Sequence, residues 1–274
     1  MSSMTTEQRR EKLLELVRAR GFVAITDLRS ELEVSESTIR RDLDSLESSG
    51  EVRRTHGGVF YAGGGAATRI FADRRANAWE RKRQVARAAS ELVEDGDTLL
   101  LDGGSTTYEL ARQLVGRPLQ IVTNSLPLAN LFATNDQVDL VVLGGYVHSR
   151  TGVTLGPYAN SMLNSLNVQK AFLSIAGADT RGYYNSNLLL VETERAMMQA
   201  ADQTIIVADS SKFGRSSLAR LCQLHEVDAV VSDSGLSRHW QQRLGQAGVR
   251  LVLAAPLEQE DDQTEGAGAQ TVVE

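Results

Sequence analysis

One cysteine in 274 residues, Cys222, leaves no partner for an internal disulfide. That excludes the disulfide-stapled secreted scaffolds and fits a reducing cytoplasm. No histidine or second cysteine stands at catalytic or metal-binding spacing from it, so Cys222 reads as a small buried apolar residue. No apolar run approaches the roughly 18 residues that a membrane span requires. The opening MSSMTTEQRREKLLELV is too polar, and too soon amphipathic, for a secretory signal. The histidines His56, His148, His225 and His239 lack metal spacing and read as surface or wing residues. No serine–histidine–aspartate order is legible. A cytoplasmic protein without metal or cofactor is the expectation.

Positive charge is missing from one stretch in particular. After Pro256 the chain runs LEQEDDQTEGAGAQTVVE, with acids at 258, 260, 261, 262, 265 and 274 and no lysine or arginine. The net charge of -6 sits entirely in that tail, and residues 1–255 are balanced. Low hydrophobicity and repeated acids predict a disordered tail over 256–274. The rest, 42% hydrophobic and 23% charged overall, is ordinary globular composition, and its length suggests two domains of unequal size. Only the local placement of charge can say whether nucleic acid is a partner.

That placement is uneven near the amino end. The spacing predicts a helix over 7–20, with Leu13, Leu16 and Val17 on one apolar stripe and Gly21 ending it. A shorter helix opens at Ile25-Thr26-Asp27-Leu28, with Thr26 as its expected cap and Ile25, Leu28 and Leu32 inward. Ser35 is a good N-cap for a third helix reaching about Ser49. On it Ile39, Leu43 and Leu46 form the buried face, which leaves Ser37, Arg41 and Asp44 in solvent and Arg40 on the flank. Ser35, Ser37, Thr38, Arg40 and Arg41 thus crowd the exposed beginning of a helix, where the macrodipole favours acids over bases. Two arginines there make sense if an anion arrives from outside.

A hairpin follows, Glu51-Val52-Arg53-Arg54 and Val59-Phe60-Tyr61 around His56-Gly57-Gly58. Three short helices and a glycine wing over 6–61 read as a winged helix-turn-helix, whose recognition helix enters the major groove by its first residues. Arginine suits both guanine edges and phosphate. Ser35, Ser37, Thr38, Arg40, Arg41, Arg53, Arg54 and His56 are therefore the expected contacts to double-stranded DNA. The competing reading is a solvated surface whose arginines pair with Glu36, Asp44 and Glu51; helix spacing, cap and wing together favour DNA.

Residues 62–75, with Ala62-Gly63-Gly64-Gly65-Ala66-Ala67, have the composition of a flexible linker. Helix is expected over 71–92. From Asp97 on, β-rich runs alternate with helices: Thr98–Leu101, Leu119–Val122, Leu140–Leu143, Ala171–Ala176, Thr204–Val207, Ala229–Val231 and Arg250–Leu253. Such alternation predicts a mainly parallel sheet covered on both faces over 76–255. Polar punctuation follows the strands: DGGSTT at 102–107, TNS at 123–125, Gly144-Gly145, GAD at 177–179 and DSSKFG at 209–214. Strand C-terminal ends line one crevice in such sheets. Small residues let a ligand approach the backbone there, helix N-termini suit phosphate, and Lys212 adds a positive charge. The expected ligand is small, hydroxylated and anionic: a sugar phosphate.

The run SESTIRRDLDSLESSGEVRRTHGGV resembles the signature of the DeoR family of bacterial transcription regulators. From about residue 6 to 255, LLLDGGSTT, IVTNS, VVLGG, KAFLSIAGAD and VADSSKFG resemble that family's sensor-domain motifs in order. The resemblance implies an α/β domain related to ribose-5-phosphate isomerase and the CoA transferases. By position it implies a phosphate loop of Asp102, Gly104, Ser105, Thr106 and Thr107. Thr123, Asn124, Gly145, Asp179, Glu192 and Lys212 would line the rest of the pocket, and Lys82 matches a family lysine. The segment 181–191, RGYYNSNLLLV, departs from the family pattern. Tyr183, Tyr184, Asn185 and Asn187 could read the variable end of the ligand, form a surface turn, or make a dimer contact.

Kinship to an isomerase raises an enzymatic alternative. A general base could come from Asp102, Asp179 or Glu192, with Lys212 on a developing oxyanion, and a CoA transferase would use Glu192 as nucleophile. The fused DNA-binding module argues instead for binding alone. The expectation is a regulator, repressing until a sugar phosphate binds, and working as a homodimer or homotetramer because paired half-sites share one symmetry axis.

Overall fold

A computed structural model describes residues 4–20, 22–48, 51–54, 58–61 and 78–255. The linker glycines, His56 and the acidic tail lie outside the described residues, as do 71–77 of the helix expected over 71–92.

The amino-terminal unit runs α1 (Thr6–Arg20), β1 (Phe22–Ala24), α2 (Ile25–Leu32), α3 (Glu36–Ser48), β2 (Val52–Arg54) and β3 (Gly58–Tyr61). The strands form an antiparallel sheet in the order β1-β3-β2, so the expected hairpin gains a third strand that three residues were too few to announce. Leu13 and Val17 from α1, Leu28 from α2 and Ile39 and Leu43 from α3 meet Val59 in one core. Thr26 does not cap α2. Ala24 holds that position without a side-chain bond, and Thr26 lies inside the helix, where its carbonyl accepts from Ser30 Oγ at 3.2 Å. The turn between α2 and α3 passes through Glu33 in the left-handed region, at φ 51° and ψ 42°.

Asp42 was given no role by its spacing, yet it is only 2% exposed and ties α3 to α1. It accepts from Arg9 Nε at 2.5 Å and from Arg10 Nε at 3.1 Å. Removing one partner of a buried pair costs more than the pair contributes, because the remaining charge is stranded. The pair therefore fixes how the recognition helix sits on its support.

In the larger unit, all seven expected strands fall in one parallel sheet. They are β4 (Thr98–Leu101), β5 (Leu119–Thr123), β6 (Val138–Val142), β9 (Val168–Leu173), β12 (Ala201–Val207), β14 (Ala229–Asp233) and β15 (Arg250–Ala254). Their order is β15-β14-β12-β9-β4-β5-β6. Neighbouring side chains point to opposite faces, so Leu99 and Leu101 join one apolar cluster and Leu100 the other. Helices α4 (Trp79–Ser90), α5 (Ser105–Leu114) and α6 (Leu126–Phe132) cover the first face. On the second lie α7 (Pro157–Leu163), α8 (Leu188–Gln199) and α9 (Arg238–Gln246).

The strand order reverses between β4 and β9. From β4 the chain steps outward through β5 and β6, then crosses back to β9 and continues outward to β15 on the other side. The loops leaving β4 and β9 therefore diverge to opposite faces and open a crevice between them. Two small antiparallel additions were not read from sequence. One is β7 (Tyr146–His148) with β8 (Val153–Leu155); the other joins β10 (Gly177–Asp179), β11 (Gly182–Asn185) and β13 (Ala219–Cys222). Cys222 is buried, and burial raises its thiol pKa to about 12.

Candidate functional site

On the recognition helix, Ser35 is the N-cap: its hydroxyl accepts from Thr38 N at 3.3 Å and lies 3.0 Å from Ser37 Oγ and 2.9 Å from Thr38 Oγ1. Arg40 is exposed and held by Glu36, with Nη2 2.5 Å from Oε1. Arg54 pairs with Asp44, and its backbone N–H donates to Glu47 Oε1 at 3.0 Å, which pins the wing to α3. Arg41 is exposed and has no ion-pair partner among the described residues. Arg53 has its backbone in β2, while its side chain, like His56, lies outside the described residues.

At the strand-order reversal sits a cavity of about 380 Å³. Ser105 and Thr106 enter it from the first turn of α5, and Ser174, Ile175 and Ala176 from the end of β9. Three cations reach it: Lys82 from α4, Arg150 from the turn between β7 and β8, and Lys212 from a 3-10 turn after β12. Among the described residues, no aspartate or glutamate lines it.

Asp102 lies beneath this surface, 3% exposed, and acts as a brace. Its Oδ1 accepts from Gly104 N at 2.9 Å and Thr107 Oγ1 at 2.6 Å. Its Oδ2 accepts from Ser174 N at 2.8 Å and Ser174 Oγ at 2.9 Å. Burial raises its pKa, and the four donors oppose that rise. The carboxylate thereby clamps the β4 loop to the β9 end. Close approach needs glycine at 104, because a Cβ there would stand 1.8 Å from Ser174 Oγ. The turn carrying Lys212 is held similarly: Asp233 accepts from Ser210 N at 2.5 Å and Ser210 Oγ at 2.9 Å.

Of the residues expected in the pocket, Lys82, Ser105, Thr106 and Lys212 line the cavity. Asp102, Gly104 and Thr107 support its floor. Thr123 and Asn124 are buried behind it: Thr123 Oγ1 donates to Leu101 O at 2.7 Å, and Asn124 Nδ2 to Thr154 O at 3.1 Å. Gly145, at φ 145°, serves the β6–β7 turn, where a Cβ would meet Leu155 O at 2.8 Å. Four further residues singled out in the sequence do not line the cavity. Asp179 is paired with Arg181 at 2.6 Å on the β10–β11 hairpin, and that hydrogen-bonded pair lowers its pKa to about 2. Glu192 is exposed on α8 and accepts from Asn160 Nδ2 at 3.3 Å. Tyr183 is buried in the core, and Tyr184 donates to Asp179 at 3.0 Å, so neither tyrosine lines the cavity.

Arg150 and Ser174 were missed, and His148, read as a surface or wing residue, instead lines the cavity with Nδ1 2.9 Å from Thr151 Oγ1. Arg150 belongs to HSRTG, a turn between strands of three residues each, too short for alternation to show. Among the described residues, no group of three or more histidine, cysteine, aspartate or glutamate side chains could hold a metal ion, and no helix is long and apolar enough to cross a membrane.

Together the two units define a winged helix-turn-helix and a parallel α/β domain with a crevice lined by three cations. Residues 9–62 match the family model described as DeoR-like helix-turn-helix domain, and residues 77–234 match that of the DeoR C terminal sensor domain. The chain belongs to the DeoR family of transcriptional regulators. It is similar to the HTH-type transcriptional regulator YulB of Bacillus subtilis (strain 168), at 31% identity over 255 residues, 93% of this chain and 98% of that protein. It is also similar to a protein of Escherichia coli O157:H7 named as a candidate aga operon transcriptional repressor, at 32% identity over 90% of this chain and 94% of that one. Among solved structures, ribose 5 phosphate isomerase A from Neisseria gonorrhoeae aligns with 51% of this chain and 54% of its own at 19% identity, with a TM-score of 0.37. The curated relatives are named as regulators, so the family is one of DNA-binding regulators and not of enzymes.

Proposed function

We propose that this regulator represses carbohydrate-metabolism genes in the cytoplasm and releases its operator when a phosphorylated sugar enters the crevice. Residues 6–61 grip DNA, with Ser35, Ser37, Thr38, Arg40 and Arg41 at the groove and Arg53, Arg54 and His56 on the wing. Residues 76–255 sense the effector, joined to the first unit by a linker over 62–75. The observation that carries the effector reading is the cavity wall: Lys82, Arg150 and Lys212 with no carboxylate among them. Cations in a recessed site attract an anion more strongly than they would in open water. The hydroxyls of Ser105 and Thr106 at a helix start add donors suited to phosphate oxygens. Proton abstraction needs a base against the substrate, and Asp102 is buried with both oxygens occupied.

Release follows if the effector binds one subunit arrangement better than the other, and couplings of about 1–3 kcal/mol are typical. A homodimer or homotetramer would present two recognition helices to paired half-sites. The test is a thermal-shift screen of phosphorylated and unphosphorylated sugars, followed by DNA release with each hit. Stabilisation by phosphorylated compounds, with release of duplex, is expected. Stabilisation by free sugars or nucleotides alone would overturn the ligand class.

A further inference from the structure

The cavity has a second, uncharged wall. Asn185 ends β11, and Asn187 caps α8 two residues later; both line the cavity. An amide can turn either way, but here the surroundings decide. Asn185 Nδ2 faces two groups that only accept, Glu194 Oε1 at 2.6 Å and Ser174 O at 3.2 Å. Its amino group is therefore committed to the protein, and Oδ1 is left as an acceptor. Asn185 is only 7% exposed, so that oxygen has little bulk water to fall back on.

Asn187 is committed in the opposite sense. Its Oδ1 accepts from two backbone donors, Leu189 N at 2.8 Å and Leu190 N at 3.2 Å. Its Nδ2 makes no bond to the protein among the described residues and remains a donor. One wall thus offers a fixed acceptor and a fixed donor, neither charged, opposite the chemistry of the cationic groups.

We infer that Asn185 and Asn187 are the specificity-determining pair, reading hydroxyl groups on the unphosphorylated part of the effector. The inference rests on the anion reading of the same crevice. A hydroxyl both donates and accepts, so adjacent hydroxyls of a sugar satisfy Asn185 Oδ1 and Asn187 Nδ2 together. Inorganic phosphate, held by the cations, needs neither. Glu194 is the positioning residue that keeps Asn185 from turning over.

The test is isothermal titration of the full chain with inorganic phosphate, ribose 5-phosphate, glucose 6-phosphate and fructose 6-phosphate. Asn187→Ser keeps a helix cap but loses the amide donor. It is expected to weaken the best-bound sugar phosphate about tenfold, as for a lost hydrogen bond in a recessed site. Inorganic phosphate should bind unchanged, and the melting temperature without ligand should hold. Asn187→Thr keeps a hydroxyl cap without adding charge, and as a second variant should show the same selective loss. Glu194→Gln should flatten the preference among the three sugars without touching inorganic phosphate. Equal losses for phosphate and sugar phosphates, or no loss at all, would overturn the assignment. Wild-type protein that binds inorganic phosphate but no sugar phosphate more tightly would overturn the amide pair and leave the anion reading standing. Failure to bind any phosphate compound would overturn the anion reading itself.

Discussion

On the proposed function the recognition helix and the crevice both meet anions, yet they hold their cations in opposite ways. On the helix Arg40 and Arg41 stand exposed, with Arg40 already occupied by Glu36, and on the wing the partly buried Arg54 is occupied by Asp44. Exposed pairs of that kind contribute about 0–1 kcal/mol, so a phosphate can displace the acid at little cost. In the crevice three cations converge on a lining that holds no aspartate or glutamate among the described residues, over a floor clamped by buried Asp102. A surface that must slide along a polyanion keeps exchangeable partners. The crevice instead sets its cations over a rigid floor.

The sharpest way to break that comparison is to remove the clamp. Asp102→Ala leaves the backbone donors of Gly104 and Ser174 and the Ser174 hydroxyl without this acceptor. It should destabilise the larger unit by about 3 kcal/mol, read as a shift in the urea midpoint. A change below about 1 kcal/mol would mean that Asp102 belongs to the ligand surface and not to the frame.

Lys212→Ala attacks the charge alone. Binding of the effector should weaken at least about tenfold, and operator affinity without effector should stay the same. An unchanged effector response in a gel-shift assay would remove Lys212 from the site.

Arg41→Ala addresses the other surface. Because Arg41 has no acid partner among the described residues, its loss should cost operator binding about 1–3 kcal/mol if it reads a base. Arg40→Ala should cost less, since part of its charge is already neutralised. Equal losses on operator and random duplex would make Arg41 a phosphate contact.

A smaller effect is expected at the turn before α3. Glu33 adopts left-handed backbone, a strain of roughly 1 kcal/mol for a residue with a Cβ. Glu33→Gly should raise the unfolding midpoint of the amino-terminal unit slightly, and a lowered midpoint would show that the side chain matters more than the strain.

The smallest effect concerns acid. Asp179 has its pKa depressed to about 2 by Arg181, so the pair stabilises the fold above the usual carboxylate range and loses that contribution as pH falls from about 4 to 2. Asp179→Asn should lower stability slightly at neutral pH and flatten the acid limb between about pH 4 and 2, as acid titration by circular dichroism would show.

Much of the architecture was legible because its signals are local. The seven sheet strands are runs of apolar residues, and the third helix shows its buried face in Ile39, Leu43 and Leu46 together with its cap at Ser35. The short antiparallel strands were not legible, since three or four residues carry too little periodicity to separate from a turn. The crevice was only half legible. Glycines and hydroxyls at strand ends marked its position, but Asp102, Asp179 and Glu192 look alike as carboxylates in a sequence. Packing made the first a brace, the second an ion pair on a hairpin and the third an exposed helix residue.

The sequence by itself determined where helices and strands form, which helix faces outward with arginines, and which family the chain resembles. Those properties depend on neighbours a few residues apart. Only the tertiary structure decided that Arg150 joins Lys82 and Lys212, that Asp42 holds α1 to α3, and that Asn185 and Asn187 present opposite ends of their amides to one space. Each of these depends on groups far apart in the chain or on which hydrogen bonds are already taken, and the direction of a side chain is set by its packed partners.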